Sequence, residues 1–202
     1  MSLKPILTGL VASLLISSLA QAESKYVAAN YQVDPMHSKV GFEIPHLVIS
    51  TVDGRFTKFD GGIDLAEKFD KSKVNVTVDM SSIDTGVQKR DDHLKSPDFF
   101  DVAKHPNMKF ESTAISGTPE DFKLTGNLTI KGVTKKVTFD GKYLGAVKDG
   151  YGQDKTAFQA KTKINRKDFG LTWNKMLEVG PTVGDEVTID LRIQAAKTVA
   201  KK

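Results

Sequence analysis

The 202-residue chain predicts an all-β domain whose strands form an antiparallel sheet with one buried face. Three observations carry that expectation. Apolar and polar residues alternate with period two in run after run, as they do where a strand buries one side only. Turn residues punctuate the runs, among them Asp60-Gly61-Gly62, Gly117-Thr118-Pro119 and Lys131-Gly132. One stretch alone, Ser81 to Pro106, departs from the alternation and reads as helical. Eight or nine strands of this kind suit an up-and-down barrel or a sandwich, and closure into a barrel has the advantage of leaving no exposed edges.

Tyr26 to Asp34 is the first expected strand, ended by Asp34-Pro35. His37 to His46 follows as one continuous strand, with Val40, Phe42, Ile44 and His46 on one face and Lys39 and Glu43 on the other. Val52 to Phe59 and Gly62 to Ala66 are shorter strands around the Asp60-Gly61-Gly62 turn. Val74, Val76, Val78 and Met80 then share a face, opposed by Asn75, Thr77 and Asp79. The helical insertion spans about residues 85–101. Thr85 and Gln88 have capping-box spacing, Val87, Arg90/Asp91 and Leu94 follow at helical intervals, and Ser96-Pro97 starts a second turn bearing Phe99 and Phe100. Strand patterning resumes with Met108, Phe110, Ser112 and Ala114 on one face, then with Phe122, Leu124, Gly126, Leu128 and Ile130. Val133, Val137 and Phe139 come next, then Phe158, Ala160, Thr162 and Ile164, and finally Val187, Ile189, Leu191 and Ile193.

The first 22 residues have the layout of a cleavable signal peptide. Lys4 supplies a positive start, Ile6 to Leu19 an interrupted apolar stretch, and Ala20-Gln21-Ala22 a cleavage site. Cleavage after Ala22 would leave a soluble domain at 23–195 and a basic, disordered tail at 196–202. The chain has no cysteine, so export brings no disulfide, and no thiol is present for a lipid anchor. A free periplasmic or secreted protein is expected. The net charge of +4 is uneven, with 12 basic and 17 acidic residues from Glu23 to Phe122 but 16 basic and 8 acidic from Lys123 onward. Most of these lysines fall at every second position of a strand, which makes them solvated outer faces rather than a nucleic-acid surface.

No residue pattern supports catalysis or a cofactor. His37 and His46, nine residues apart on one strand, would stand about 30 Å apart at ~3.3 Å per residue, too far to share a metal. His93 and His105 lack the Cys or His-x-x-x-His company of a metal site. There is no Gly-x-Ser-x-Gly elbow and no glycine-rich phosphate loop, and adjacent Asp91 and Asp92 diverge on a helix rather than pairing as acid and base. Arg90-Asp91-Asp92-His93 is either a salt-bridged helix face or a headgroup-recognition cluster. The small inward residues Ser112, Ala114, Gly126, Ala160 and Thr162 leave two readings open. They mark a ligand-sized cavity, or they face large partners across a filled core.

Several segments together resemble the YceI-like family of bacterial periplasmic proteins. They are Tyr31-x-Val33-Asp34-Pro35-x-His37-Ser38, Gly54-Arg55-Phe56, Arg90-Asp91-x-His93-Leu94-Lys95-Ser96-x-Asp98-Phe99-Phe100, His105-Pro106-x-Met108-x-Phe110, Gly126-x-Leu128-Thr129-Ile130-x-Gly132 and Arg166-x-Asp168-Phe169-Gly170. The resemblance runs in order from Tyr31 to Ile193. It implies a lipocalin-like antiparallel barrel of about eight strands, with an elongated internal pocket for a polyisoprenoid or other long-chain amphiphilic lipid. It brings no catalytic residue, and no cofactor or metal is expected; the alternative to a lipid carrier is a stress or interaction protein whose barrel is a filled core. The expected ligand-contacting residues are Phe42, Ile44, His46, Val76, Val78, Met80, Arg90, His93, Phe110, Leu124, Leu128, Phe158 and Ala160. The expected partners are that lipid and, transiently, a membrane, with the protein a monomer or homodimer.

Overall fold

The computed structural model describes residues 26–198. The expected leader and the last four residues of the basic tail lie outside them. Among the described residues, thirteen strands and one α-helix follow one another. The strands are β1 (Ala29–Val33), β2 (Lys39–His46), β3 (Ser50–Phe56), β4 (Phe59–Leu65), β5 (Lys73–Asp79), β6 (Ile83–Asp84), β7 (Asn107–Thr118), β8 (Asp121–Ile130), β9 (Val133–Lys148), β10 (Asp154–Asn165), β11 (Met176–Leu177), β12 (Gly180–Pro181) and β13 (Glu186–Lys197). Helix α1 (Gln88–Lys95) lies between β6 and β7.

Eight strands close a ring in the order β1-β4-β5-β7-β8-β9-β10-β13, with β13 returning to β1, and every pairing is antiparallel. Closure leaves no unpaired edge in the ring, which is the advantage expected of a barrel over a sandwich. The hairpin β2–β3 continues the β1 edge along β13, from Arg192↔Lys39 to Thr188↔Glu43, and stands as a flap at one end. The short β6 pairs with β3 and hands the chain to α1 at that same end.

The pattern of exposure explains the closure. Along β8 every second residue from Phe122 to Ile130 is buried, including Gly126. The outward positions carry Lys123, paired with Asp140, and the threonine pairs Thr125–Thr138 and Thr129–Thr134. Lys163–Glu186 and Lys148–Asp154 are further exposed pairs on outer positions. The basic C-terminal half is therefore spread over solvated strand faces.

Local details differ from the sequence expectation for identifiable reasons. His37 is not in a strand. Asp34 accepts the Met36 N–H and winds Pro35–His37 into a 3-10 turn, so β2 begins only at Lys39. Gly61 and Gly62 lie inside β4, where a Cβ on Gly61 would collide with the Asn75 carbonyl of the neighbouring strand; the turn is instead at Thr57-Lys58. A bulge between Ser112 and Ala114 turns Ala114 outward and Ile115 into the core. The predicted capping box is absent. Val87 occupies the N-cap without a side-chain bond, and Thr85 donates its hydroxyl to the buried Asp91. The second helical turn is a series of tight turns after Ser96, not a helix. The last strand runs to Lys197, two residues past the expected limit of the barrel, held by Tyr31↔Lys197 and Lys155↔Ala196.

Candidate ligand-binding cavity

The side chains pointing into the barrel do not fill it. The lumen holds two adjoining chambers, with cavity volumes of about 120 Å³ and 240 Å³. Val40, Met108 and Ile189 belong to the walls of both and form the waist between them. On β10 the wall runs from Phe158 in the inner chamber to Ile164 in the outer one, and on β13 from Ile193 to Val187. Six residues of strand span about 20 Å at ~3.3 Å each, so the two chambers form one elongated tunnel.

The inner chamber is built from alternate residues of the ring strands. Val76 and Val78 come from β5, Phe110 from β7, Leu124 and Leu128 from β8, and Phe158 and Ala160 from β10. Apart from Lys109, an exposed residue, its lining is aliphatic and aromatic. Edge-to-face rings close the far end, with Tyr26–Phe69, Tyr26–Tyr143, Phe69–Phe122 and Tyr143–Phe158 centroids 5.3–5.8 Å apart. Such pairs contribute about 0.5–1.5 kcal/mol each beyond their burial. Tyr31, beside this cap, donates its hydroxyl to the Val27 carbonyl. Burial, with Tyr143 nearby, pushes its pKa up to about 12, so the phenol stays neutral.

Glycines decide where this wall is open. Phe42 packs over Gly54, Phe110 over Gly126 and Phe122 over Gly141, each so closely that a Cβ on the glycine would overlap the ring. The missing side chains let these rings lie along the wall instead of across the lumen. Gly126 is thus packed against a large partner, as one reading of the small residues had it. Ala160, between Gly141 and Leu191 in register, borders open lumen, as the other had it.

The outer chamber has polar groups on its walls. Phe42, Ile44 and His46 of β2 line one side, and Arg90, His93 and Leu94 of α1 another. Arg90 donates from Nε to the Thr85 hydroxyl and from Nη2 to the Thr85 carbonyl, both at 2.8 Å. Asp91 accepts the Thr85 N–H at 3.0 Å and its hydroxyl at 2.5 Å. Asp92 accepts from Gln88, and His93 Nε2 lies 3.0 Å from Asp98. The polar cluster is therefore knitted together locally, while Arg90 and His93 also face the chamber. The His93 ring meets Phe99 and Trp173 at 5.0 Å, and these two meet at 5.1 Å, making an aromatic triad at the wall.

Met80 stands apart from the other expected contacts. The Asp79 carboxylate accepts the Ser81 N–H and bends the chain into a 3-10 turn, so the alternation of β5 stops at Asp79. Met80 is buried in the surrounding core and does not line either chamber. The histidines are dispersed, His37 pairing with Asp34 and His105 lying against Gly132.

Arg166 and Trp173 are wall residues outside the expected ligand-contacting set. Arg166 is buried and donates to the carbonyls of Leu171, Trp173 and Gly184 and, at 3.3 Å, to the Asp185 carboxylate. Burial holds its pKa below the ordinary arginine value, with Asp185 opposing. It ties the segment 171–185 across the outer chamber. Its only sequence signal was membership of the Arg166-x-Asp168-Phe169-Gly170 motif, in which Gly170 takes φ +75° to end the turn. Trp173, the chain's single tryptophan, sits outside any alternating run, so periodicity had nothing to say about it.

Comparison with known proteins agrees with this geometry. The YceI-like domain family matches residues 31–195. The UPF0312 protein of Serratia proteamaculans (strain 568) is 40% identical over 186 residues, covering 91% of this chain and 93% of that one. The crystal structure of Burkholderia cenocepacia BcnA superposes with a TM-score of 0.69 at 26% identity, covering 80% of this chain and 98% of that one. A polyisoprenoid binding domain from Saccharophagus degradans, implicated in plant cell wall breakdown, has a TM-score of 0.62 at 16% identity, covering 85% and 100%, and shares the fold. With a closed eight-stranded barrel, an elongated apolar lumen and a family match over almost all of the described residues, this chain belongs to the YceI-like domain family.

Proposed function

We propose that this protein is an exported, periplasmic carrier or store that holds a polyisoprenoid or other long-chain amphiphile in its barrel. The observation that carries the reading is the tunnel itself, apolar and capped by aromatic rings at one end, with Arg90 and His93 on its walls at the other. That polarity suits a ligand whose tail lies in the inner chamber and whose headgroup stays near α1. The similarity in fold to a polyisoprenoid binding domain supports the same ligand class. Binding needs no chemical step, and none is assigned to the site.

The energetics suit a carrier. Burying CH₂ groups contributes ~0.8 kcal/mol each, so a five-carbon unit contributes about 3–4 kcal/mol. Six such units would pass the practical affinity ceiling of roughly 20 kcal/mol. Ordering the chain and competition with a bilayer offset much of this, which leaves exchange feasible. Organic extraction of the purified protein followed by mass spectrometry tests the reading, with a stoichiometric long-chain lipid expected. Protein free of lipid that also takes up none from detergent would overturn it. Export is tested separately by N-terminal sequencing, which should begin at Glu23; an intact Met1 in a cytoplasmic fraction would refute it.

A further inference from the structure

From the outer end of the barrel, we infer that the paired loop tips bearing Val48, Ile49, Met176, Leu177 and Val179 form a docking surface for a lipid bilayer. This inference rests on the carrier reading and supplies the route by which the lipid enters. These five side chains are 39–89% exposed. They come from two loops held as one surface. The Leu47 N–H donates to the Thr182 carbonyl at 2.9 Å, His46 bridges Val183, and a Cβ on Gly180 would touch Val48 Cγ2.

The local backbone makes their exposure informative. Leu47 and Val48 have φ of 53° and 66°, the left-handed conformation that hairpin turns normally give to Gly, Asn or Asp. A β-branched residue there is strained and, being exposed, gains no core packing in return. Folding alone does not account for that choice.

Depth and continuity select the partner. From Ile44 to Val52 the hairpin carries no Asp, Glu, Lys or Arg. The first charges behind the tip are Glu43 and Asp53, which face each other across β2–β3. Three strand residues lie between each of them and the turn, so Glu43 is four steps from Leu47, about 13 Å at ~3.3 Å each. An apolar segment at a membrane interface sinks about 5–10 Å, so the tip can enter while its charges remain in water. The same hairpin lines the outer chamber with Ile44 and Val52, giving an apolar strip from the tip into the lumen. A stable protein interface engages about 20–30 residues a side. Five side chains are too few for that and enough for shallow insertion. Lys175 and Glu178, of opposite sign, flank the second tip, so attraction to anionic headgroups is not the driving force.

The test compares wild type with Ile49→Asp/Val179→Asp and with Val147→Asp, an exposed apolar position on the β9–β10 hairpin at the far end. Flotation uses vesicles of phosphatidylcholine alone and of phosphatidylethanolamine with phosphatidylglycerol. All forms are purified as the exported product with the same N-terminus at Glu23, so differences report the substitutions. The tip variant should lose at least about tenfold in partitioning on both vesicles, while Val147→Asp changes little. Equal partitioning of tip variant and wild type, no wild-type flotation, or an equal loss in Val147→Asp would overturn the inference. So would a dimer that the tip variant converts to monomer on gel filtration, since a second copy would then be the occupant. Lipid extracted from the same preparations separates the two readings. Docking lost in every form with lipid still present sinks the surface alone, whereas tip-dependent docking without lipid sinks the cargo.

Discussion

Ala160→Phe is a plug for the tunnel. Ala160 lines the inner chamber beside Phe158 and faces Gly141 and Leu191 on neighbouring strands. In a filled core, the added ring would force neighbours off their rotamers and cost about 1–3 kcal/mol. In this lumen the ring has space along the tunnel. Burying a phenyl side chain contributes roughly 1.5–3 kcal/mol, less the entropy of fixing it, so the ligand-free variant should unfold within about 1 kcal/mol of wild type or slightly later. The ring occupies the room of about one five-carbon unit. At ~0.8 kcal/mol per CH₂, the bound chain loses about 3–4 kcal/mol, or two to three orders of magnitude in affinity. The assay is urea denaturation of delipidated proteins, because bound lipid would itself raise the midpoint, followed by reloading and mass spectrometry. Destabilisation beyond about 2 kcal/mol with unchanged lipid content would refute the open-lumen argument at this position.

Gly141→Ala should swing Phe122 off the wall into the inner chamber, and Gly54→Ala should do the same to Phe42 in the outer one; each should cut lipid loading while leaving the unfolding midpoint within about 1 kcal/mol, and unchanged loading would show that the rings relax elsewhere. Arg166→Met leaves the carbonyls of Leu171, Trp173 and Gly184 without their shared donor. A loss of about 3–5 kcal/mol is expected on denaturation, and a loss below about 1 kcal/mol would mean the segment holds without it. The Gly86 N–H, and after it Arg55, hold the Asp84 carboxyl below its ordinary pKa. Its stabilisation is therefore present above the ordinary value of about 3.9 and lost as pH falls through the lower folded value. Asp84→Asn should flatten that part of the acid limb, and an unchanged acid profile would refute the assignment.

Period-two alternation was enough to read the ring strands, because each buries one face and exposes the other. It failed where a local hydrogen bond or a neighbouring backbone set the geometry. Gly61-Gly62 has the composition of a turn, yet the close approach of the Asn75 carbonyl places it inside β4. The bulge at Ser112/Ala114 reverses the faces of β7, and no residue type there announces it. Thr85-x-x-Gln88 has capping-box spacing, but Asp91 takes the Thr85 hydroxyl, a contact six residues along that only the folded loop creates. Most expected wall residues were legible because they share strand parity. Met80 was misplaced for the same reason, since parity was carried one residue past the end of β5.

The glycine–phenylalanine pairs show why a hollow interior is compatible with a stable barrel. Phe42, Phe110 and Phe122 bury one ring face against glycine backbone and keep the other toward the lumen. Much of their apolar area leaves water through contact with the wall, so burial does not require them to meet at the barrel axis. Rings also pack on one another at the inner end, Tyr26 against Phe69 and Tyr143, and Leu128, Ile130, Phe169 and Leu171 form a second cluster beside the main one. The ring's hydrogen-bond ladders have no free edge at which to open. A chain packed this way holds its shape from the wall outward, which leaves the tunnel axis to a ligand. Truncating Phe169, packed under the outer chamber, should therefore cost about 3–5 kcal/mol, whereas truncating Phe110, which has one face on the lumen, should cost less. Comparable losses for Phe169→Ala and Phe110→Ala in delipidated protein would show that the lumen-facing rings are core after all.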